Sequence, residues 1–227
     1  MRTSLFALLL SVFIFSSARA QTNSVPTYKM DGMASLMTNY VDYGLSHTTQ
    51  DPALHAAFWF NWGPQFRMGL WGSNVSYKDS DSHFLLKVSA DLRIQFSENS
   101  DLTIKYSDNH YFKPESRDGN VLGLHLNLFT YGIRYEKLSN FLNTRKGATA
   151  YAFTKTWDAF QTWKWENVFG YMMMGSDVLT NYFYWETYLG TQPGAIYYQI
   201  GSSYNSGASQ FDGAADPTLI FKASVSF

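Results

Sequence analysis

The sequence predicts an all-β chain: a transmembrane antiparallel up-and-down β-barrel of about 12 strands. Three observations lead there. Apolar and polar residues alternate with period two over most of the chain. The composition is aromatic (18%) and weakly charged (15%), with no cysteine. The last residues form an alternating strand that stops on Phe227.

Composition removes several classes at once. So many rings and so few charges do not suit a disordered chain. Without Cys there are no disulfide scaffolds, cysteine zinc sites, iron–sulfur clusters or thiol nucleophiles. A mean hydropathy of −0.23 argues against a helical membrane bundle, which needs repeated apolar runs of roughly 20 residues. The net charge of −1 gives no reason to expect a nucleic acid partner.

Residues 1–20 are expected to be a secretory signal peptide. Arg2 supplies the basic end, Leu5 to Phe15 the apolar run, and Ala18-Arg19-Ala20 a small-x-small site, with cleavage near Ala20. A short N-terminal segment, 21–32, then leads into the barrel, 33–227. No Cys follows the cleavage site, so no lipoprotein anchor is expected.

Alternation is clearest over residues 86–96. Leu86, Val88, Ala90, Leu92, Ile94 and Phe96 alternate with Lys87, Ser89, Asp91, Arg93 and Gln95. A strand puts these two sets on opposite faces. The pattern recurs at Phe58-Phe60-Trp62, Leu102-Ile104-Tyr106, Leu122 to Leu128 and Leu219 to Phe227. Turn residues divide the chain into strands near 33–45, 53–62, 66–77, 83–96, 101–112, 120–128, 130–138, 147–157, 162–174, 181–190, 195–204 and 216–227. All six prolines fall outside strand interiors or at strand starts, where a missing N–H is tolerated. Connections on one edge run longer, most visibly at Ser46–Pro52 and Asn205–Ala215. Outer-membrane barrels show this asymmetry.

Aromatics near strand ends fit interfacial girdles: Tyr40, Tyr43, Trp59, Trp62, Trp71, Tyr111, Phe112, Trp157, Trp163, Trp165, Tyr182, Trp185, Tyr197 and Tyr198. The alternative is that these rings pack a soluble sandwich core. An apolar strand ending on an aromatic favours the barrel, because the barrel-assembly machinery reads such a strand. The expected setting is therefore the outer membrane of a Gram-negative bacterium, in contact with its lipid.

Tyr40-Val41-Asp42-Tyr43-Gly44-Leu45-Ser46, followed by Thr48 and Asp51-Pro52-Ala53-Leu54, resembles the N-terminal signature of the TorF-family porins of proteobacteria. Gly69-Leu70-Trp71-Gly72-Ser73-Asn74-Val75 is similar to that family's next motif. The likeness is sharp over residues 33–77 and survives beyond them as strand spacing and length. It implies an outer-membrane barrel with a pore, in a family whose substrates are largely unassigned. Val41 and Tyr43 stand where the family carries basic residues, so its charge selectivity does not transfer. Physically, Gly44 is expected to relax the backbone where the first strand leaves the membrane, with Ser46 to Asp51 as the following loop. Gly69 and Gly72 are expected to make room for Trp71.

If apolar residues face lipid, the alternating polar set faces the lumen. The candidates are Lys87, Asp91, Arg93, Gln95, Lys105, Arg134, Glu136, Lys164, Glu166, Glu186, Gln199 and Lys222, with Tyr184 beside them. Arg or Lys facing lipid near the midplane would cost roughly 2–4 kcal/mol. Both signs are present, which allows a narrow water-filled passage for small solutes or ions, or a salt-bridged plug. Twelve strands lie between side-chain-filled barrels and open porins, and a narrow pore is the favoured outcome. An enzyme is the alternative class. His47, His83 and His110 lie near loop ends with Asp51, Asp79, Asp81 and Asp108, and Ser46 beside His47 is the nearest thing to a nucleophile pair. Adjacent strand residues point apart, so that pair is poor, and no catalytic function, cofactor or metal is expected. A third class is an adhesive barrel acting through its loops. Asn205–Ala215, rich in Gly, Ser and Ala, is expected to be mobile and able to fold inward.

Overall fold

The computed structural model describes residues 28–227, except 79–80, 114–116, 176 and 178. The expected signal peptide and most of segment 21–32 lie outside the described residues. The strands are β1 (Tyr28–Met37), β2 (Val41–Asp42), β3 (Leu45–Ser46), β4 (Ala53–Trp62), β5 (Phe66–Asn74), β6 (Phe84–Ser97) and β7 (Ser100–Phe112). They continue as β8 (Gly119–Leu128), β9 (Tyr131–Leu138), β10 (Ala148–Phe160), β11 (Trp163–Met174), β12 (Tyr182–Thr191), β13 (Ile196–Asn205) and β14 (Thr218–Ser226). All except β2 and β3 join one closed antiparallel barrel, each pairing with its neighbours in chain order and β14 closing onto β1. The predicted barrel of twelve strands is therefore the observed one.

Closure leaves no edge strand and pairs the barrel's backbone within itself, which is the requirement for a sheet in lipid. At the seam, Phe227 and Gly32 exchange both backbone hydrogen bonds (2.7 and 3.0 Å), and the Phe227 ring covers Gly32. One end of the barrel carries short connections, 63–65, 98–99, 129–130, 161–162 and 192–195, beside both ends of the barrel chain. The other end carries 38–52, 75–83, 113–118, 139–147, 175–181 and 206–217.

The outer face is apolar all round: Leu54, Phe58, Leu70, Val88, Leu124, Ile133, Phe153, Phe169, Ile200 and Phe221 are all exposed. Two polar residues on it serve indoles. Trp185 Nε1 donates to Asn167 Oδ1 (3.0 Å) and Trp165 Nε1 to Thr187 Oγ1 (2.7 Å), so both N–H groups are satisfied on the wall. The girdle expectation needs correcting. Trp62, Phe112, Trp157, Trp165, Trp185 and Tyr198 do face outward. Register puts Trp59, Trp71, Tyr111, Tyr182 and Tyr197 on the inner face, and Tyr40 and Tyr43 lie inside the barrel. A period-two pattern of rings on both faces cannot tell girdle from lumen.

The first strand also differs from expectation. It runs 28–37 rather than 33–45, and the chain then turns into the barrel. Its inward segment is buried between two apolar clusters. Leu45 packs with Leu138, Phe141, Ala148, Ala150, Val168, Met172, Tyr182, Tyr184 and Phe211. Tyr40 packs with Met37, Ala53, Val75 and Leu85. The largest apolar core of this barrel thus lies inside its own lumen, at the long-loop end.

Candidate functional site: a lumen constricted by an inward hairpin

Residues 38–48 form the feature that defines the lumen. Val41-Asp42 pairs with Leu45-Ser46, and Tyr43 and Gly44 make the connecting turn with φ of 53° and 72°. Two positive φ values define the tight hairpin turn whose twist suits antiparallel strands. Gly44 fits there because it has no Cβ to clash; Tyr43 adopts an uncommon backbone held by what its side chain touches. The motif expected to mark a strand leaving the membrane is therefore a hairpin tip inside the barrel.

The hairpin is bonded to four strands of the wall, β6, β9, β12 and β13. Tyr43 Oη donates to Glu136 Oε2 on β9 (2.8 Å), and Glu136 Oε1 lies 2.7 Å from His125 Nε2 on β8. The Gly44 N–H donates to Glu186 Oε1 on β12 (2.8 Å), whose other oxygen accepts from Tyr188 Oη (3.0 Å). Lys87 Nζ on β6 donates to Tyr40 Oη (3.1 Å) and to Asp42 Oδ2 (3.5 Å). Tyr182 Oη and Asn205 Nδ2 donate to the carbonyls of Tyr43 and Gly44 (3.1 and 3.2 Å). At the base, Asn39 Oδ1 accepts from Ser46 Oγ (2.6 Å) and Thr48 Oγ1 (3.2 Å). Hydrogen bonds to charged groups contribute about 1.5–3 kcal/mol each, so this tip is held, not free to wave.

The loop 206–217 closes over the hairpin. Ser46 N–H donates to Ala214 O (2.6 Å), and Phe211 is buried against the Tyr182 ring. Glycine and serine content suggested mobility, but Phe211 and Ala215 anchor the loop in the inner core. It does fold inward, as a cap on the hairpin.

Below the hairpin a cavity of about 380 Å³ remains, lined by Lys87, Asp91, Lys105, Arg134, Glu136 and Glu186 among the predicted residues. Register puts the other predicted positions on the same inner face. Gln199 and Lys222 are direct cross-strand partners, with Lys164 in the same row beyond Gly190 and Asp158 opposite it. Arg93 pairs with Asp101 (2.7 Å), Arg134 with Glu166 (3.8 Å), and Gln95 lies cross-strand from Asp101 near the short turns. Three of the predicted residues, Lys87, Glu136 and Glu186, bind the hairpin rather than standing apart along a passage. Sequence reasoning missed Arg67, which binds Asp91, and Asp101, His125 and Asn205, because their roles depend on cross-strand register.

Inner-wall rings lie flat in glycine gaps of the neighbouring strand. Trp59 covers Gly69, Tyr184 covers Gly170, Tyr188 covers Gly201 and Tyr197 covers Gly190; a Cβ at any of these glycines would collide with the ring. Large rings therefore occupy the wall and leave the lumen space free. Gly69 makes room for Trp59 rather than Trp71, and Gly72 for the outward Phe84.

The histidines do not form a nucleophile pair with serine. Ser46 Oγ is bonded to Asn39, and His47 Nδ1 lies 2.6 Å from Tyr77 Oη. His47 is stacked on Tyr40, and burial, with Lys87 and Arg117 nearby, pushes its pKa down to about 3. Burial raises the pKa of the Asp42 carboxyl against the pull of Lys87. His83 Nδ1 meets the Asp81 backbone carbonyl (3.2 Å), and His110 lies near Asp108 and Asp118 (3.1 and 3.4 Å). Asp79 is outside the described residues.

A closed, twelve-stranded, apolar-coated antiparallel barrel with a polar lumen defines the fold class. Solved structures share it. One is a KdgM porin in complex with disordered oligogalacturonate (TM-score 0.58, 8% identity, 88% of this chain and 98% of that one). Another is the outer membrane protein Omp33 of Acinetobacter baumannii (TM-score 0.51, 8% identity, 88% and 97%). No protein-family model and no curated protein matches the sequence. At such identity the likeness establishes the fold.

Proposed function

We propose that this protein is an outer-membrane channel for passive diffusion of small solutes or ions through a narrow, mixed-charge lumen. The observation that carries the reading is the inward hairpin over a charged cavity. A barrel built only as a scaffold has no need of polar space beneath a folded-in loop, whereas a channel uses such a loop to set its bore. The apolar exterior supports residence in lipid, and the long-loop end is read as extracellular by the usual asymmetry of such barrels. The KdgM porin and Omp33 folds support the reading, as does the TorF-family resemblance of residues 33–77. The reading includes export by cleavage near Ala20 and assembly through the strand ending at Phe227. Asp91, Arg93, Gln95, Lys105, Arg134, Lys164, Glu166, Gln199 and Lys222 line the path, and Lys87, Glu136 and Glu186 border it while holding the hairpin. Its chemistry is transport, not catalysis.

Refolded protein in planar bilayers is expected to give stepwise currents. A silent bilayer, with folding confirmed by heat-modifiable gel migration, would overturn the channel in favour of a plugged structural or adhesive barrel. Lipase and peptidase assays on the same sample are expected to be negative.

A further inference from the structure

The ion pairs of the lumen are lopsided. The Arg67 side chain is 45% exposed while its partner Asp91 is 7% exposed; for Arg93 and Asp101 the figures are 48% and 7%. In each pair the carboxylate is covered and the guanidinium stands open. Asp101 is held further by Asn127 Nδ2 (3.0 Å) and Thr103 Oγ1 (3.2 Å), so its oxygens are engaged along the wall. Such a pair is neutral in sum, but a solute in the lumen meets its positive end first.

The register gathers these ends. Arg67, Asp91 and Lys105 are successive cross-strand partners on β5, β6 and β7. The next inward row runs Arg93, Thr103, His125, Arg134 across β6 to β9. Lys105 makes no hydrogen bond or close ion pair among the described residues, its charge acting at longer range on Asp42 and Glu136, and Arg134 has a 3.8 Å contact to Glu166 with Glu186 also within its field. Asp91, the carboxylate beside Lys105 in the first row, is bonded by Arg67 through Oδ2, and Glu136 further along the row has its two oxygens engaged by Tyr43 and His125. On this wall the guanidinium groups therefore stand more open than the carboxylates, which are bonded or, like the unpartnered Asp91 Oδ1, buried.

We propose that Arg67, Arg93, Lys105 and Arg134 form a cationic band below the hairpin that makes the channel prefer anions, and in particular small oxyanions bearing a carboxylate or phosphate group. Guanidinium groups present paired N–H donors that match such oxygens. The inference rests on the channel reading and names the solute class for it.

Bilayer recordings in a KCl gradient are expected to give a chloride-to-potassium permeability ratio above one. Lys105→Gln with Arg134→Gln should lower it by about twofold or more, since opposing charged groups in a pore set ion preference. Inorganic phosphate should reduce the chloride current of the parent channel and not that of the double variant. A ratio below one, a ratio unmoved by the substitutions, or no effect of phosphate would overturn the proposal. A second measurement separates this from failure of the channel itself. Trp59 lies beside Arg67, 5.3 Å from ring to guanidinium. In refolded barrel, Trp59 fluorescence, taken as the difference from Trp59→Phe, should show an iodide-to-caesium quenching ratio above that of free N-acetyltryptophanamide in the same salts. A silent bilayer with that raised ratio preserves the band and removes the channel; a ratio equal to or below that of the free indole removes the band.

Discussion

Toward the long loops the inner wall carries Leu85, Leu138, Ala148, Ala150, Val168 and Met172, an apolar core about the hairpin of which Leu138, Ala150 and Val168 also border the cavity. Toward the short turns the same strands carry Arg67, Asp91, Arg93, Lys105, Arg134 and Lys164, and the cavity reaches Arg67, Asp91, Lys105 and Arg134. One barrel thus contains a packed half, narrowed by the hairpin, and a more open half. The difference shows that "inward" is not a single environment. An inward residue is apolar where another segment covers it and charged where water does.

That contrast is most directly broken by replacing 40–47 with a short Gly-Ser linker. The packed half would lose its filling, and single-channel conductance should rise several-fold, because the hairpin narrows the lumen. Unchanged conductance would mean that the bore is set elsewhere. Leu45→Ala tests the core character of the packed half. Leu45 is 2% exposed, and a buried Leu→Ala change costs about 2–5 kcal/mol. The loss should appear as faster amide exchange over residues 41–46 with the strand amides still protected. Exchange no faster than in the parent would show that the wall, not Leu45, holds the hairpin.

In the open half, Gly190→Val should push the Tyr197 ring off its seat and into the lumen. The barrel should stay folded by heat-modifiable migration while conductance falls, by less than the hairpin replacement raises it. The smallest expected effect is from pH. Docked His47 resists protonation down to about pH 3, whereas in the undocked hairpin it would titrate near its ordinary 6.5. Docking therefore weakens as pH falls from about 6.5 toward 3 and is unaffected above. Asp42, raised by burial, acts in the opposite sense, since its docked carboxyl takes up a proton more readily. His47→Asn isolates the first effect: acid should increase channel opening less in the variant than in the parent. Equal acid responses would remove His47 from the balance.

Much of the barrel could be read before the structure. Leu86 to Phe96 alternate as predicted, and the paired faces of β6 and β7 follow that alternation residue by residue. The hairpin was also partly written in the chain. Ala148 to Ala152 and Val168 to Met174 are apolar on both strand faces, lipid outside and something packed inside. That double pattern is the signal that a segment fills the lumen, but it does not say which one. Tyr40 and Tyr43 could equally have been girdle rings, because a tyrosine suits a membrane interface and a wet-edged core alike.

Sequence by itself determined the strand number, the antiparallel order, the apolar exterior and much of the charge that avoids lipid, though not Arg67 or Asp101. Each follows from local alternation and turn chemistry, which need no knowledge of distant residues. Tertiary structure decided that residues 38–48 turn inward, that Glu136 and Glu186 grip their tip, and that Arg67 and Arg93 stand open over covered carboxylates. Those outcomes depend on register and barrel closure, which bring positions as far apart as Gly44 and Asn205 into hydrogen-bond contact. Period-two patterning sorts residues between two faces; only closure of the sheet determines which inward residues meet one another and which meet water.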